Sequence, residues 1–510
     1  MPSLFIASII YCVTILIALL NYGSVELLTV SLLALPIFLL LLILLITQGL
    51  PEHTASTLWM SSILLVMLVA WVAIQSTPGL DLGTAQPAWR EVQQLLPDTQ
   101  SAISLSPADD LPAALRIVVP FGVFMVGLLL FANDDRATRA VKVFSVSAGL
   151  ISIFSIAHFY AAPDRLLFGE KIAYLTSLTG LFVNRNTAAT FFGLALLLNA
   201  TVVETSIRKI DIWRVLGAIG AGSMLSSGTQ KKVWHASWHC ALLFSSLTAL
   251  MLTKSRGGIG ATFVAVCFLL VLKMVRKSRI SRKQQADVSA LGRRTKMLAA
   301  SCGFLVVLVI FFMLGQRVLL RSQMQDTFED GRFCVMPGIL SAVRDHFPFG
   351  AGLSSFSSVF PAYRDPSCGI IGAWDRAHNV YLEGLFTLGI VFVVPVLVFA
   401  IWLTIVFLIG IRRRRSARFA GELGLSALLL VAVHSAIDFS LQISGLAIFF
   451  AAMLAPLVTL SLRPPGNGNA QRKTTYRVRS SLTKIETASP IDSRLAFKAD
   501  LFASSKIKAS

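Results

Sequence analysis

The sequence predicts an all-α polytopic integral membrane protein with about twelve transmembrane helices and one large external loop. Three observations carry this expectation. Of 510 residues, 55% are hydrophobic and 14% charged, with a mean hydropathy of +0.73, whereas a soluble globular chain carries about 25% charged residues. Apolar runs long enough to cross ~30 Å of hydrocarbon recur along the chain. The basic residues stand in short clusters between those runs, so the net charge of +19 reads as membrane topology and not as a nucleic-acid-binding surface.

In order, the runs fall at 4–20, 25–46, 57–76, 116–132, 140–159, 185–203, 236–253, 257–274, 297–316, 380–409, 420–436 and 441–462. The first has no Lys or Arg before it and no small-residue cleavage site after it, so it reads as an uncleaved span. Twelve spans put both termini on one side. Loops on that side hold three basic residues between Arg136 and Lys142, five between Arg208 and Lys232, and nine between Lys273 and Lys296. Five more lie between Arg412 and Arg418 and ten after Leu462, together 32 of the chain's 45. By the positive-inside rule that side is cytoplasmic. Ile212 to Leu225 is a glycine-bearing apolar run too short to cross, an interfacial or re-entrant piece.

Two external segments are long. Thr77 to Leu115 is acidic and either caps a site or only covers helix ends, the second being the simpler reading. The loop from Arg317 to Arg376 is too long for a connection. Within it, Met336 to Phe347 has helical periodicity, with Ile339, Val343 and Phe347 on one stripe and Arg344 beside it. The loop is expected to lack enough apolar residues for its own core. It holds Cys334 and Cys368, the two of six cysteines outside the apolar runs; in an oxidising compartment a bond between them would brace it, two unpaired thiols being the alternative.

The polar chemistry concentrates where this loop re-enters the membrane. His378, Asn379 and Glu383 stand at i, i+1 and i+5, with Asn379 and Glu383 on one helix face and His378 on its flank. Asp375 is placed to cap a helix starting there, turning first-turn N–H groups and the positive dipole end toward an anion. Histidine titrates near neutrality and can take a proton from a hydroxyl, with Asp375 or Glu383 fixing its tautomer; hydrogen bonding to a neighbour at the interface is the plainer role. Guanidinium forks bind diphosphate oxygens, which makes Arg185, Arg256 and Arg344 a candidate clamp with Arg332 a fourth member, snorkelling to the interface being the plainer role for Arg256. Glycine after Arg256 favours close approach of a ligand. His434 and Asp438, one helical turn apart, read first as an ion pair between helices and second as support for an acceptor site. Of seven histidines only His235 and His239 form a helical pair, at the other membrane face, so no metal or other cofactor is expected.

Four pieces together carry a resemblance: Asn184-Arg185-Asn186, Ser255-Arg256-Gly257-Gly258, Phe349-Gly350-Ala351-Gly352-Leu353-Ser354-Ser355-Phe356 and Ala377-His378-Asn379-Val380-Tyr381-Leu382-Glu383. In this order, over roughly residues 180 to 460, they resemble the signature of the O-antigen ligase and polymerase superfamily of polytopic membrane glycosyltransferases. The resemblance implies a GT-C-like helical bundle at a bacterial inner membrane. It also implies a periplasmic site that transfers a glycan from an undecaprenyl-diphosphate carrier to a sugar hydroxyl of a growing glycan or of lipid A-core. His378 is then a functional position, with Glu383 and Asp375 beside it and Arg256, Arg185, Arg344, Arg332, Asn379, Gly350 and Gly352 on the substrate side. The charge count puts all four pieces on the external face, although nothing in their identification assumed a topology. Membrane lipids are the other expected partner.

The chain then divides into N-terminal spans over 1–180, a ligase- or polymerase-like core over 181–462 that includes loop 317–376, and a basic tail over 463–510 expected to be disordered and drawn to anionic lipid. A twelve-span transporter or flippase of an anionic or lipid-linked substrate is the rival reading. It expects repeat symmetry and charges at mid-membrane, and the sequence shows neither. A structural partner in an envelope complex, the third reading, would leave His378 dispensable.

Overall fold

The computed structural model describes residues 2–80, 86–283, 327–368 and 374–464. Helices alone build it: no strand occurs among the described residues, whose only β element is an isolated bridge between Arg165 and Glu170. Nine helices among the described residues are long and apolar enough to cross a membrane. They include α2 (Leu27–Gln48), α3 (Glu52–Ser76), α5 (Pro107–Leu130), α6 (Asp134–Ala161) and α7 (Arg185–Ile207). The chain continues through α8 (Ile212–Gly220), α9 (Ser227–Leu252) and α10 (Arg256–Lys283). Beyond 326 come α11 (Thr327–Asp345), α12 (Phe356–Val359), α13 (Val380–Leu388), α14 (Ile390–Arg413), α15 (Arg418–Ser435) and α16 (Ser444–Leu462). The N-terminal apolar stretch Leu4–Leu20 lies in a shorter helix, α1 (Pro2–Leu20). Short α4 (Ala88–Leu95) lies in the first external segment. The expected span at 297–316 lies outside the described residues.

In hydrocarbon a backbone can satisfy its polar groups only within a helix, and helices then associate through small residues that let them approach closely. The two most enclosed spans are α16, 89% buried over its apolar window, and α7, 78% buried. Around them pack α5, α6, α9, α10 and α15, while α14, at 22%, lies at the periphery. Small residues line the tightest crossing: a side-chain carbon on Gly258 of α10 would collide with the methyl of Ala189 on α7.

One expected span divides. The run at 380–409 breaks at Gly389, which sits at φ 63° and leaves α13 as a separate short helix. The peptide amide of Ile390 then donates to the carbonyl of Pro348 at 2.8 Å, so the break is occupied by the turn of the large loop.

That loop does have a core, contrary to the expectation. Val335, Ile339 and Ala342 of α11 pack with Ala351, Phe356, Phe360, Trp374, Ala377 and Phe386. The two phenylalanines of α12 and the turn after it stack with centroids 5.0 Å apart. The composition hides this because Phe386 comes from the membrane-facing α13 and completes the cluster from below. The expected stripe is also shifted. Helix α11 ends at Asp345, so Phe347 lies beyond it and is 54% exposed, while Val335 and Ala342 take its place beside Ile339.

Candidate active site

Helices α7, α10 and α13 start at the same face of the bundle, and each start is fixed by a polar side chain. Asn184 accepts from the amide of Asn186 at 2.6 Å, and the Ser255 hydroxyl accepts from the amide of Gly258 at 3.2 Å. Asn379 accepts from the amides of Tyr381 and Leu382 at 3.0 and 3.1 Å. Asn379, not Asp375, therefore caps α13. Asp375 is exposed and four residues before the cap, because His378 adopts φ 52° and turns the chain just ahead of the helix.

A chain of hydrogen bonds ties these starts together. Ser255 donates to Asn186 Oδ1 at 2.7 Å, and Asn186 Nδ2 donates to Asp438 Oδ2 at 2.7 Å. That same oxygen lies 3.7 Å from His378 Nδ1, and the Ser440 hydroxyl holds the other carboxylate oxygen at 2.6 Å. Asp438 is wholly buried, and Asn186 and Ser255 nearly so. The His378 ring lies between Trp374 and Phe439, at 4.9 and 4.8 Å between centroids. Its Nδ1 is buried 3.7 Å from Asp438 and makes no hydrogen bond among the described residues, which leaves Nε2 as the nitrogen a substrate hydroxyl can meet.

Glu383, one of the two expected tautomer-setting carboxylates, is committed elsewhere. It accepts from the Ala377 amide at 2.7 Å and from Arg376 at 3.1 Å, bracing the turn that carries His378. Asp438 faces the imidazole in its place. His434 Nδ1 lies 2.6 Å from the Thr190 hydroxyl of α7. A side-chain carbon on Gly257 or Gly258 would come within 3.4 Å of the His434 ring. The contacts that require glycine are closer ones, with Ile437 at Gly257 and with Ala189 of α7 at Gly258, a packing reason beside the expected one of ligand approach.

Arg185 and Arg256 are the first residues of α7 and α10, each adjacent to a member of the hydrogen-bond chain. The Arg185 guanidinium lies over the Tyr174 ring, 5.3 Å from its centroid. Lys171, in the connection before α7, donates to the Ser177 carbonyl at 2.6 Å; burial, then the charge of Lys254, pushes its ammonium below the ordinary range. A face with several cations and three helix N-termini suits a multiply charged anion. Arg344 is exposed at the end of α11, and the side chain of Arg332 lies outside the described residues.

Gly350 and Gly352 are placed by packing, at φ 81° and 104°. The amides of Ala351 and Gly352 donate to the carbonyls of Phe386 and Thr387 at 2.8 and 3.0 Å. A side-chain carbon on either glycine would collide with the Thr387 carbonyl or with Ser104. Helix α3 and the segment after it dock on this turn: Gln75 of α3 donates to the Phe349 and Thr387 carbonyls, and from Thr77–Leu115 Gln86 donates to the Gly350 carbonyl and Asp110 accepts from the Ser354 amide at 2.7 Å. Thr77 to Leu115 therefore fastens the loop that presents His378, more than a cover for helix ends. Cys334 is disulfide-bonded, and Cys12, Cys240 and Cys267 are free thiols; the side chain of Cys368 lies outside the described residues. Among the described residues no three His, Cys, Asp or Glu come together in a way that could hold a metal ion.

Asp438 and Asn186 join the site through contacts that local spacing does not reveal. Asp438 was paired with His434 because the two lie one helical turn apart, but α15 ends at Ser435, and the turn that follows carries Asp438 under His378. No curated protein matches the chain. Residues 241–396 match the family model described as O-antigen ligase. The match contains Arg256, the Gly350–Gly352 turn and His378, while Asn186 and Asp438 join them through hydrogen bonds from outside it. It supports glycosyl transfer in O-antigen or polysaccharide assembly, with a lipid-linked glycan and an acceptor as partners in general. Over residues 241–396 this multi-pass membrane protein is similar to the O-antigen ligase family.

Proposed function

We propose that the chain transfers a glycan from an undecaprenyl-diphosphate carrier to a sugar hydroxyl at the periplasmic face of a bacterial inner membrane, with residues 181–462 as its catalytic core. The observation that carries this is the pairing of a partly exposed His378 with a wholly buried Asp438 at 3.7 Å, beside the starts of helices that open with Arg185 and Arg256. His378 Nε2 takes the proton of the acceptor hydroxyl while that oxygen bonds to the anomeric carbon. The bond from the anomeric carbon to phosphate oxygen breaks, and its electron pair leaves with the carrier diphosphate. Asp438 holds the imidazole in the tautomer with the proton on Nδ1 and stabilises the imidazolium. Arg256 and Arg185, with the helix N-termini, stabilise the charge growing on the leaving diphosphate, which needs no metal. Arg344 and Arg332 extend the clamp along the loop, and a Cys334–Cys368 bond braces it.

Two experiments test the reading. A reporter fused at residue 350 is expected to report the periplasm and one at 285 the cytoplasm; the reverse pattern sinks the assignment. In a deletion strain, carrier-linked single repeats accumulate if the protein polymerises and long chains accumulate if it ligates. Normal carrier-linked glycan in that strain would favour the transporter or structural reading.

A further inference from the structure

Helices α7, α10 and α15 each have a second polar end, roughly 30 Å from the first by helix rise. There the ends of α7 and α15 enclose a cavity of about 210 Å³ lined by Glu204, Arg208, Lys209, Arg415, Arg418 and Phe419, with Thr205 and Ser416. Glu204 is ion-paired to Arg208 and to Lys273 of α10, and the buried Glu422 to Lys273 at 3.5 Å and to Arg418 at 3.1 Å. Both carboxylates are thus committed to interlocking the three helices. Lys209 and Arg415 remain, exposed on the cavity wall and in no ion pair among the described residues. Helix α15 starts here with Ala417 as its cap residue, which supplies no side-chain acceptor to the first-turn amides.

A second observation says which anion reaches this cavity. Helix α8 begins three residues after Lys209 and carries Ile212, Trp213 and Leu216 at i, i+1 and i+4, which are 49, 83 and 53% exposed. A short helix with an exposed apolar face, a tryptophan and flanking cations lies in the headgroup plane of a bilayer. We propose that this cavity binds the phosphate of an anionic phospholipid, with Lys209, Arg415 and the open α15 N-terminus as donors and the exposed face of α8 against the acyl chains. Basic clusters at this level attract anionic lipid even without a cavity, so the test must separate a site from a charged surface.

The full-length protein is purified in micelles of phosphatidylcholine and titrated with phosphatidylglycerol, with retained lipid read by native mass spectrometry. Wild type is expected to retain phosphatidylglycerol selectively, and the double variant Lys209→Gln/Arg415→Gln to bind it roughly ten- to thirtyfold more weakly. The control Arg412→Gln/Arg413→Gln, whose arginines do not line the cavity, is expected to bind like wild type. Equal loss in the control reduces the site to surface charge and overturns the proposal. Displacement of the lipid by millimolar inorganic phosphate would make it a free-anion site and overturn the lipid assignment. Independently of any cavity variant, the fluorescence difference between wild type and Trp213→Phe is expected to be quenched by brominated phosphatidylglycerol at lower mole fraction than by brominated phosphatidylcholine. Equal quenching also overturns it.

Discussion

The two ends of α7, α10 and α15 solve the same packing problem with different chemistry. At the His378 end the helices are tied by neutral hydrogen bonds, Ser255 to Asn186 and Thr190 to His434, around one buried carboxylate, Asp438. At the other end they are tied by ion pairs of Glu204 and Glu422 with Lys273, Arg208 and Arg418. A buried ion pair is neutralised within itself and is poorly suited to respond to a substrate. At the first end the carboxylate is held by an amide and a hydroxyl and faces an imidazole at 3.7 Å. The difference agrees with the proposed division, glycan transfer at the first end and interlocking of the helices beside the proposed lipid cavity at the second.

The sharpest way to break this contrast is to remove the base. His378→Ala is expected to lower transfer by about 10²- to 10⁴-fold while carrier-lipid binding and membrane insertion stay near wild type. If binding and turnover fall together, His378 is a ligand contact. Asp438→Asn keeps the shape and one of the two accepted hydrogen bonds, from Asn186 or from Ser440, but removes the charge. A loss on the order of 10²-fold in turnover with unchanged thermal stability is expected, and equal loss of stability would make Asp438 structural.

At the opposite end the expected signature is inverted. Glu422→Ala removes a wholly buried carboxylate, taking from Arg418 its partner and leaving Lys273 with Glu204. About 3–5 kcal/mol of stability should be lost, with transfer per folded molecule retained. A fall in transfer without a fall in stability would contradict the division of roles. Between these extremes, Gly258→Ala presses α10 off α7 and onto the His434 ring. Overpacking of this kind costs about 1–3 kcal/mol, and thermal unfolding with a parallel transfer assay shows whether the separation also reaches Ser255 and Asn186.

The smallest effect concerns the loop. Burial, followed by the Asp345 carboxylate that accepts its hydrogen bond, pushes the Tyr363 phenol up to about 12. Because the folded value lies above the ordinary 10, the stabilisation is complete below pH 10 and disappears as pH rises through about 12. The difference in phenolate absorbance between wild type and Tyr363→Phe should titrate near the upper value; a midpoint at the ordinary one would mean that the loop core does not enclose this ring.

The sequence by itself determined the membrane class, most span positions and the gathering of motifs at one face of the bundle. Each of these rests on local quantities: the length of an apolar run, the sign of a loop, the order of short motifs. It also located His378 and the arginines at helix starts, since a cap and a positively charged first residue are neighbours in the chain. Only the tertiary structure decided which carboxylate serves His378. Glu383 is five residues away and turned to Arg376 and Ala377, while Asp438 is sixty residues away and held by Asn186 from a third helix. The same holds for the loop core, completed by Phe386, and for the glycines after Arg256, whose packing role is visible only when Ile437 and Ala189 are seen beside them. Periodicity and composition report what one segment presents to its surroundings. Which segment answers is settled by the packing of several helices at once, and no single stretch of the chain contains that information.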